Sequence, residues 1–531
     1  MTRAKAGTPN DLRPRLAEFG VPPLGLVITH ICFGICRKKL MRQLSGRLGQ
    51  GRRATVPTRR LRMTTSTLLP PAQWAQTEFG PAELGDRRRT QRLVKMATAL
   101  AHRPGGTLPQ AFPEWKELKA AYRFLSQPQA SYERILTPHW ERTRRAAQEP
   151  GEYLLLEDTT ELDYTGHGAT EDLGFIGDGR GRGLLLHSTL AVRVETWTLE
   201  QRPEGTVLGL LGQQCWTRQG PPGKKRRETW RQRVNRPRES QRWAKVLEEV
   251  GGPPAGCQWI FIADREADFY EPIERCQRHG LDFIIRGFRD RALVDQTEHL
   301  QAVVAQAPVR GRMTVDLRAR PGQAARTATV QVRTGTVRAQ GPERRGGPLP
   351  ALTLQVVEVR EVGAPTGAEP LHWLLLTSLP CTSWAQVQRI VGRYAARWWV
   401  EEYHKALKTG AGVEASQLER AYRLESLGAV LAVVAVRLLN AKWLARARPD
   451  EPVDAAVFGP EALALLAGTF GEPAAGWTHG TALVAVARLG GFVARRGDGL
   501  PGWQTLWRGW QRLLWMCQGV EILQMKGKRC G

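Results

Sequence analysis

Residues 257–277 read "CQWIFIADREADFYEPIERCQ". The apolar run Trp259–Ala263 has the length and the aromatic and β-branched content of a buried strand, and it runs directly into a segment that reads as a helix. A buried strand handed straight to a helix is the building unit of an α/β fold. Upstream, "EYLLLEDTT" (152–160), "GLLLHSTLAV" (183–192) and "TVLGLLGQQCW" (206–216) are further apolar runs bounded by glycine or polar loops. A helix over about 240–250 lies between them and the quoted strand, and "LDFIIRGF" (281–288) supplies a fifth strand. Three successive strands, then alternating helix and strand, predict a mixed α/β sheet.

The flanks differ. Residues 290–375 alternate apolar and polar in "RMTVDLRAR", "ATVQVRTGTVRAQG" and "LTLQVVEVREV", the pattern of antiparallel strands in a separate β insertion. From Trp74 to about 148 the chain reads as helical: Asp86 is placed to cap a helix whose stripe is Leu93, Val94, Met96, Ala97 and Leu100, and Gly105–Gly106 is expected to end it. The opposite face of that helix carries Arg87, Arg88, Arg89, Arg92 and Lys95, which suits DNA and equally an ordinary solvated surface. An apolar helix is expected near 424–446. The region from about 455 is helical and tryptophan-rich, with Trp503, Trp507 and Trp510 at helical spacing. The expected domains are a helical unit at 63–148, an α/β core at 149–450 and a helical region at 451–531. Residues 1–62 read as a disordered basic extension or a misplaced start, because the sequence after Met63 reads as a protein start.

The chain has 531 residues and a net charge of +26 from 77 Lys and Arg against 51 Asp and Glu. A field of that sign attracts polyanions, nucleic acid first among them, although a basic genomic bias gives the same composition. Residues 1–62 contribute 14 bases against two acids, so the rest of the chain is moderately basic. Eight cysteines include no CxxC pair, Cys32 and Cys36 are the only close two, and no zinc site is indicated; a reducing cytosol fits. The apolar segment Val21–Cys36 is short for a membrane span.

Asp158 and Asp264 each stand where an apolar strand is expected to end, a common place for functional groups on an α/β sheet and also for a simple cap. A later segment, "RYAARWWVEEYHKALKTG" (393–410), reads as one helix. At about 100° per residue, Tyr394, Arg397, Glu401, Lys405 and Lys408 fall within roughly an 80° arc, and Glu402 falls off it. One carboxylate among bases and a phenol suits a metal ligand beside a phosphate backbone; helical ion pairs such as Glu401–Lys405 are the plainer reading. Three carboxylates of this kind match the hard oxygen ligands that Mg²⁺ prefers, and no GxxxxGK[ST] loop points to ATP.

The spacing Tyr394-x2-Arg397-x3-Glu401-x6-Lys408 resembles the Y-R-E-K signature of DDE transposases of the insertion-sequence-four family. "LGDRRRTQRLV", "AYRFL", "EDTTELDY", "DREAD", "RWWVEEYHKALKTGAG", "VAVRLL" and "VARLGGF" are similar to that family in the same order, over about residues 74–515. The resemblance implies an RNase H-like catalytic core, with a β insertion among the 136 residues between Asp264 and Glu401. It implies Asp158, Asp264 and Glu401 as ligands of two Mg²⁺ ions, for which Mn²⁺ can substitute. Tyr394, Arg397, Lys405, Lys408 and Arg286 would contact transposon-end DNA, Trp373 would stack on a flipped base, and the basic helix with Arg87, Arg88 and Arg92 would bind the ends. The implied activity is cut-and-paste transposition of a bacterial insertion sequence by nicking, hairpin formation, hairpin opening and strand transfer. The implied partners are double-stranded DNA, both terminal repeats and target, and a second copy in a synaptic homodimer joined through the C-terminal tryptophan-rich helices. The implied location is the bacterial cytoplasm, at the nucleoid. A nuclease that cuts without joining, and an inactive DNA-binding regulator of transposition, are the competing readings. The role of Trp398 is left open by the sequence.

Overall fold

The computed structural model describes residues 69–220, 229, 241–294, 296–318, 323–344, 347–453, 458–495, 498–499 and 501–527. The expectations for residues 1–62, with Cys32, Cys36 and Val21–Cys36, lie outside the described residues.

Five helices open the described chain: α1 (Pro71–Phe79), α2 (Arg87–His102), α3 (Leu108–Ala111), α4 (Trp115–Leu125) and α5 (Tyr132–Ala146). Asp86 caps α2 as expected, its carboxylate accepting from the Arg88 N–H at 2.8 Å. The helix ends at His102, earlier than the Gly105–Gly106 pair. Gly105 instead takes a left-handed turn (φ 74°) where an added Cβ would lie 2.5 Å from Trp507 and 3.1 Å from the Gly410 carbonyl oxygen. Only glycine allows that approach.

One ten-stranded sheet follows, built from β1 (Gly151–Asp163), β2 (Gly174–Ile176), β3 (Gly181–Trp197), β4 (Pro203–Trp216), β5 (Cys257–Ala263), β6 (Asp282–Arg286), β7 (Val309–Leu317), β8 (Arg326–Ala339), β11 (Leu352–Glu361) and β12 (His372–Thr377). A separate two-residue pair is β9 (Glu343–Arg344) with β10 (Gly347–Pro348). Strand β3 lies between β4 and β1, antiparallel to both, while β1, β5 and β6 are parallel neighbours. The crossovers use α6 (Gln241–Val250) and α7 (Tyr270–His279), and α8 (Leu300–Gln306) leads into β7. The alternating strands of 290–375 do not form a separate body. β12 pairs antiparallel with β6, and β11, β8 and β7 extend the same sheet beyond it. The alternating pattern signalled antiparallel strands, and the pairing of β12 with β6 carries them onto the main sheet.

The sheet is covered on both faces, so its central strands read as unbroken apolar runs. Leu154, Leu156, Ile260, Ile262 and Ile284 face the core shared with the N-terminal helices and the later α9 (Trp384–Ala395), α10 (Trp398–Lys405) and α11 (Ala421–Ala447). Tyr153, Leu155, Phe261, Phe283 and Ile285 face α6 and α7 through Trp243 and Ile273. Helix α11 is long and apolar enough to cross a membrane, but most of it is buried within the fold as a central strut. Among the described residues, three helices close the chain, α12 (Pro460–Phe470), α13 (His479–Leu489) and α14 (Trp503–Gly527), around a small core of Ala462, Leu466, Val486 and Leu513. Trp507 is buried and Trp510 packs on this core, so of the tryptophan run on α14 only Trp515 is largely exposed.

A buried polar cluster joins α1 and α5 to β4. His139 Nδ1 lies 2.7 Å from the Glu78 carboxylate, and its Nε2 accepts the Leu210 N–H at 3.1 Å. Nδ1 is therefore the protonated nitrogen and donates to Glu78. Arg142 donates to the same carboxylate at 2.9 Å. Burial lowers the His139 pKa, keeping the ring neutral, and the donated bonds hold Glu78 down to about 2 against the opposing effect of its own burial.

Candidate active site

Parity and register place two carboxylates together. Asp158 follows Leu156 by two residues and Asp264 follows Ile262 by two, so both share the face turned toward α9 and α10. The parallel pairing sets Leu156 opposite Ile262, and continuing it by two residues sets Asp158 beside Asp264, about 4.8 Å away strand to strand. Asp158 does not end its strand as the sequence suggested. β1 continues to Asp163, with Asp158 paired to Ser188 of β3, because the polar residues after Leu156 still find partners on β3. Asp264 does end β5, and its carboxylate caps the following turn by accepting from the Glu266 N–H at 2.8 Å. The capping role coexists with its place beside Asp158.

The stretch 393–410 is not one helix. α9 ends at Ala395, a tightened turn through Ala396 and Arg397 follows, α10 runs from Trp398 to Lys405, and residues Ala406–Gly410 form a π-helical turn. A single angular count across the stretch therefore fails. The local consequence survives: Arg397 and Glu401, four apart, meet at 2.6 Å, and the other Arg397 nitrogen lies 3.6 Å from Asp158. Arg397 thus bridges Glu401 to Asp158. Lys405 turns to Glu402 at 3.5 Å and does not make the i,i+4 pair with Glu401.

Burial, followed by the charges of Asp264, Glu401 and Glu266, pushes the Asp158 carboxyl up to about 7, with Arg397 opposing. Glu266 is raised too, by burial and by Asp264. Asp158, Asp264, Glu266 and Glu401 thus share one neighbourhood, in which Arg397 is the guanidinium that opposes the rise of Asp158. His404, 3.7 Å from Asp158, adds no charge: burial and the cations around it push its pKa down to about 3.

The remaining expected residues divide into groups. Tyr394 is buried, with Trp373 against it edge to face at 4.9 Å; Arg286 raises charge nearby and donates to the His372 carbonyl at 3.1 Å. Tyr394 thus lies within the field of Arg397, Arg286 and Asp264, with Trp373 packed against it. Lys408, in the π turn, pairs with Glu414 at 3.4 Å. Arg87 and Arg88 are exposed on α2, while Arg92 and Lys95 both bind Glu117 of α4 at 2.5 and 2.7 Å. Arg92 therefore serves helix packing in this state.

Sequence reasoning passed over Glu266 and His404. Glu266 lies inside "DREAD", and His404 follows Glu401 by three residues, so spacing carried a signal for both. Behind Asp158 runs a buried chain: His404 Nε2 to Ser188 Oγ at 3.3 Å, Gln213 Nε2 donating to Ser188 and Tyr403 at 2.8 and 2.9 Å, and the Tyr132 hydroxyl donating to Gln213 at 2.5 Å. It links α5 to the carboxylate face. Glu402 is buried away from Asp158 and bound by Lys442 at 2.7 Å and by the Trp503 indole N–H.

An all-carboxylate set, in which burial and neighbouring acids raise Asp158 and Glu266, fits a hard divalent cation. Among the described residues no three such groups converge on one point, Glu401 being drawn onto Arg397.

Residues 71–130 match the family model described as transposase DNA-binding. They span α1 to α4 and the loop after it, the segment carrying the exposed Arg87 and Arg88. The match supports a transposase with DNA as its partner.

Proposed function

We propose that the chain is a DDE transposase of the insertion-sequence-four type, and that Asp158, Asp264 and Glu401 are its catalytic carboxylates. The observation that carries this reading is the pairing of β1 with β5, which sets Asp158 beside Asp264 on the face that α10 covers with Glu401. The strand order β4-β3-β1-β5-β6, antiparallel then parallel, supports an RNase H-like core. In the proposed reaction, strand nicking at each transposon end is followed by hairpin formation, hairpin opening and joining to target DNA. Asp158, Asp264 and Glu401 would hold Mg²⁺, which supplies Lewis-acid stabilisation of charge on the phosphate oxygens. Arg397 holds Glu401 near Asp158 and offers its guanidinium to a phosphate once the carboxylates are otherwise neutralised. Arg286 and Lys408 extend that basic margin, and the exposed arginines of α2 would bind the terminal repeats. A synaptic homodimer at the bacterial nucleoid completes the proposal.

The test is incubation of labelled DNA bearing the element's own terminal repeats with the full chain and Mg²⁺, scored for hairpin ends. Hairpins at the element boundary support the reading. Nicks without hairpins point to a nuclease that does not join, and end binding without cleavage to an inactive regulator.

A further inference from the structure

A cavity of about 590 Å³ opens on the side of α10 away from Asp158, between that helix, α11 and the start of α14. Its walls combine two features rarely found together. Tryptophans line it, among them Trp398 and Trp503, and Arg318, Lys442, Arg446 and Lys405 stand against a single acid, Glu402. The cations are paired with the indoles: the Arg318 guanidinium lies 3.2 Å from the Trp398 ring centre and the Lys442 ammonium 4.3 Å from that of Trp503. Glu402 is already engaged on one oxygen by Lys442 and the Trp503 indole and on the other by Lys405 at 3.5 Å. Arg318 reaches it only at 4.0 Å, and Arg446, exposed on α11, forms no salt bridge among the described residues and repels Arg318. The surplus positive charge is therefore not consumed internally.

We propose that this cavity binds one unstacked nucleotide of a DNA strand, its phosphate on Arg318 and Arg446 and its base against the indoles. An anion alone has no use for the tryptophans, and an apolar ligand has none for the cations. A nucleotide uses both, through base–aromatic stacking and charge-assisted bonds to phosphate. The volume lies in the range of single-ligand sites and excludes a duplex. The site is distinct from Trp373, which packs on Tyr394 and does not line it. Glu402, which lines the cavity, directly follows Glu401 on α10. The open role of Trp398 is thereby assigned as a wall of this site. The choice of DNA as ligand rests on the transposase reading.

The test uses the full chain and a thymidine hexanucleotide carrying one 5-iodouracil, photocrosslinked and mapped by mass spectrometry. Crosslinks in peptides containing Trp398 or Trp503 are expected. Thymidine monophosphate should compete for them better than thymidine or inorganic phosphate does. Arg446→Ala, at an exposed position that leaves the fold intact, should weaken capture about tenfold, as loss of one charge-assisted phosphate bond does. Crosslinks confined to Trp373 or to other regions, or wild-type capture by Arg446→Ala, would overturn the proposal. Hairpin formation on terminal-repeat DNA is scored in parallel. Cleavage without capture sinks the cavity alone, and capture without cleavage sinks the transposase reading alone.

Discussion

Glu401 and Glu402 are neighbours in sequence, and their replacement by glutamine should have opposite consequences. Glu402 has a side chain 8% exposed and holds Lys442 at 2.7 Å. Removing its charge strands an ammonium that is itself only 21% exposed. Breaking a fully buried pair costs about 3–5 kcal/mol; Lys442 keeps some water and Gln can still accept from Trp503, so about 2–3 kcal/mol is expected. Glu401 is 44% exposed, and its bond to Arg397 is screened by solvent, so its loss should cost about 0.5 kcal/mol or less. In thermal melts Glu402→Gln should fall by about 5 °C while Glu401→Gln stays within about 1 °C of wild type. In the Mg²⁺ cleavage assay, run well below either melting point, the order reverses. Glu401→Gln should lose at least about a hundredfold in rate, and Glu402→Gln should retain most of it. Two variants with equal melts, or a folded Glu402→Gln that cannot cleave, would refute the division of labour between the two faces of α10.

Other perturbations follow from the same geometry. The Asp158 carboxyl is raised from 3.8 to about 7, so its contribution to stability is present below about pH 4 and lost as pH rises through 7. Asp158→Asn should therefore melt higher than wild type at pH 8 without divalent ions, by no more than about 4 kcal/mol, and match it at pH 4; Mg²⁺ should stabilise the wild type alone. His139→Ala removes the bonds to Glu78 and to the Leu210 N–H, and should expose the α1–α5 linkers to limited proteolysis while costing about 2–4 kcal/mol. Lys408→Ala should weaken DNA binding similarly on all sequences and reduce the slope of log affinity against log salt by about 1, read by fluorescence anisotropy.

Much of this was legible in the sequence. Apolar runs marked the central strands, and the two-residue steps Leu156 to Asp158 and Ile262 to Asp264 put both carboxylates on one face, because strand parity is local. The Asp86 cap and the apolar stripe of α2 were equally local. Tertiary structure decided what depends on distant partners. Whether 290–375 forms its own body or lengthens the main sheet turned on the pairing of β12 with β6. Whether 393–410 is one helix turned on packing, since every residue from 393 to 410 is compatible with helix and only the fit of α9 and α10 against the sheet demands a break at Ala396–Arg397. The partner of Lys405, the burial of Glu402 under Lys442 and Trp503, and the tryptophan-walled cavity beside them depend on α14, about 100 residues downstream. Periodicity reports which face a residue takes; it carries no record of which remote helix will cover that face.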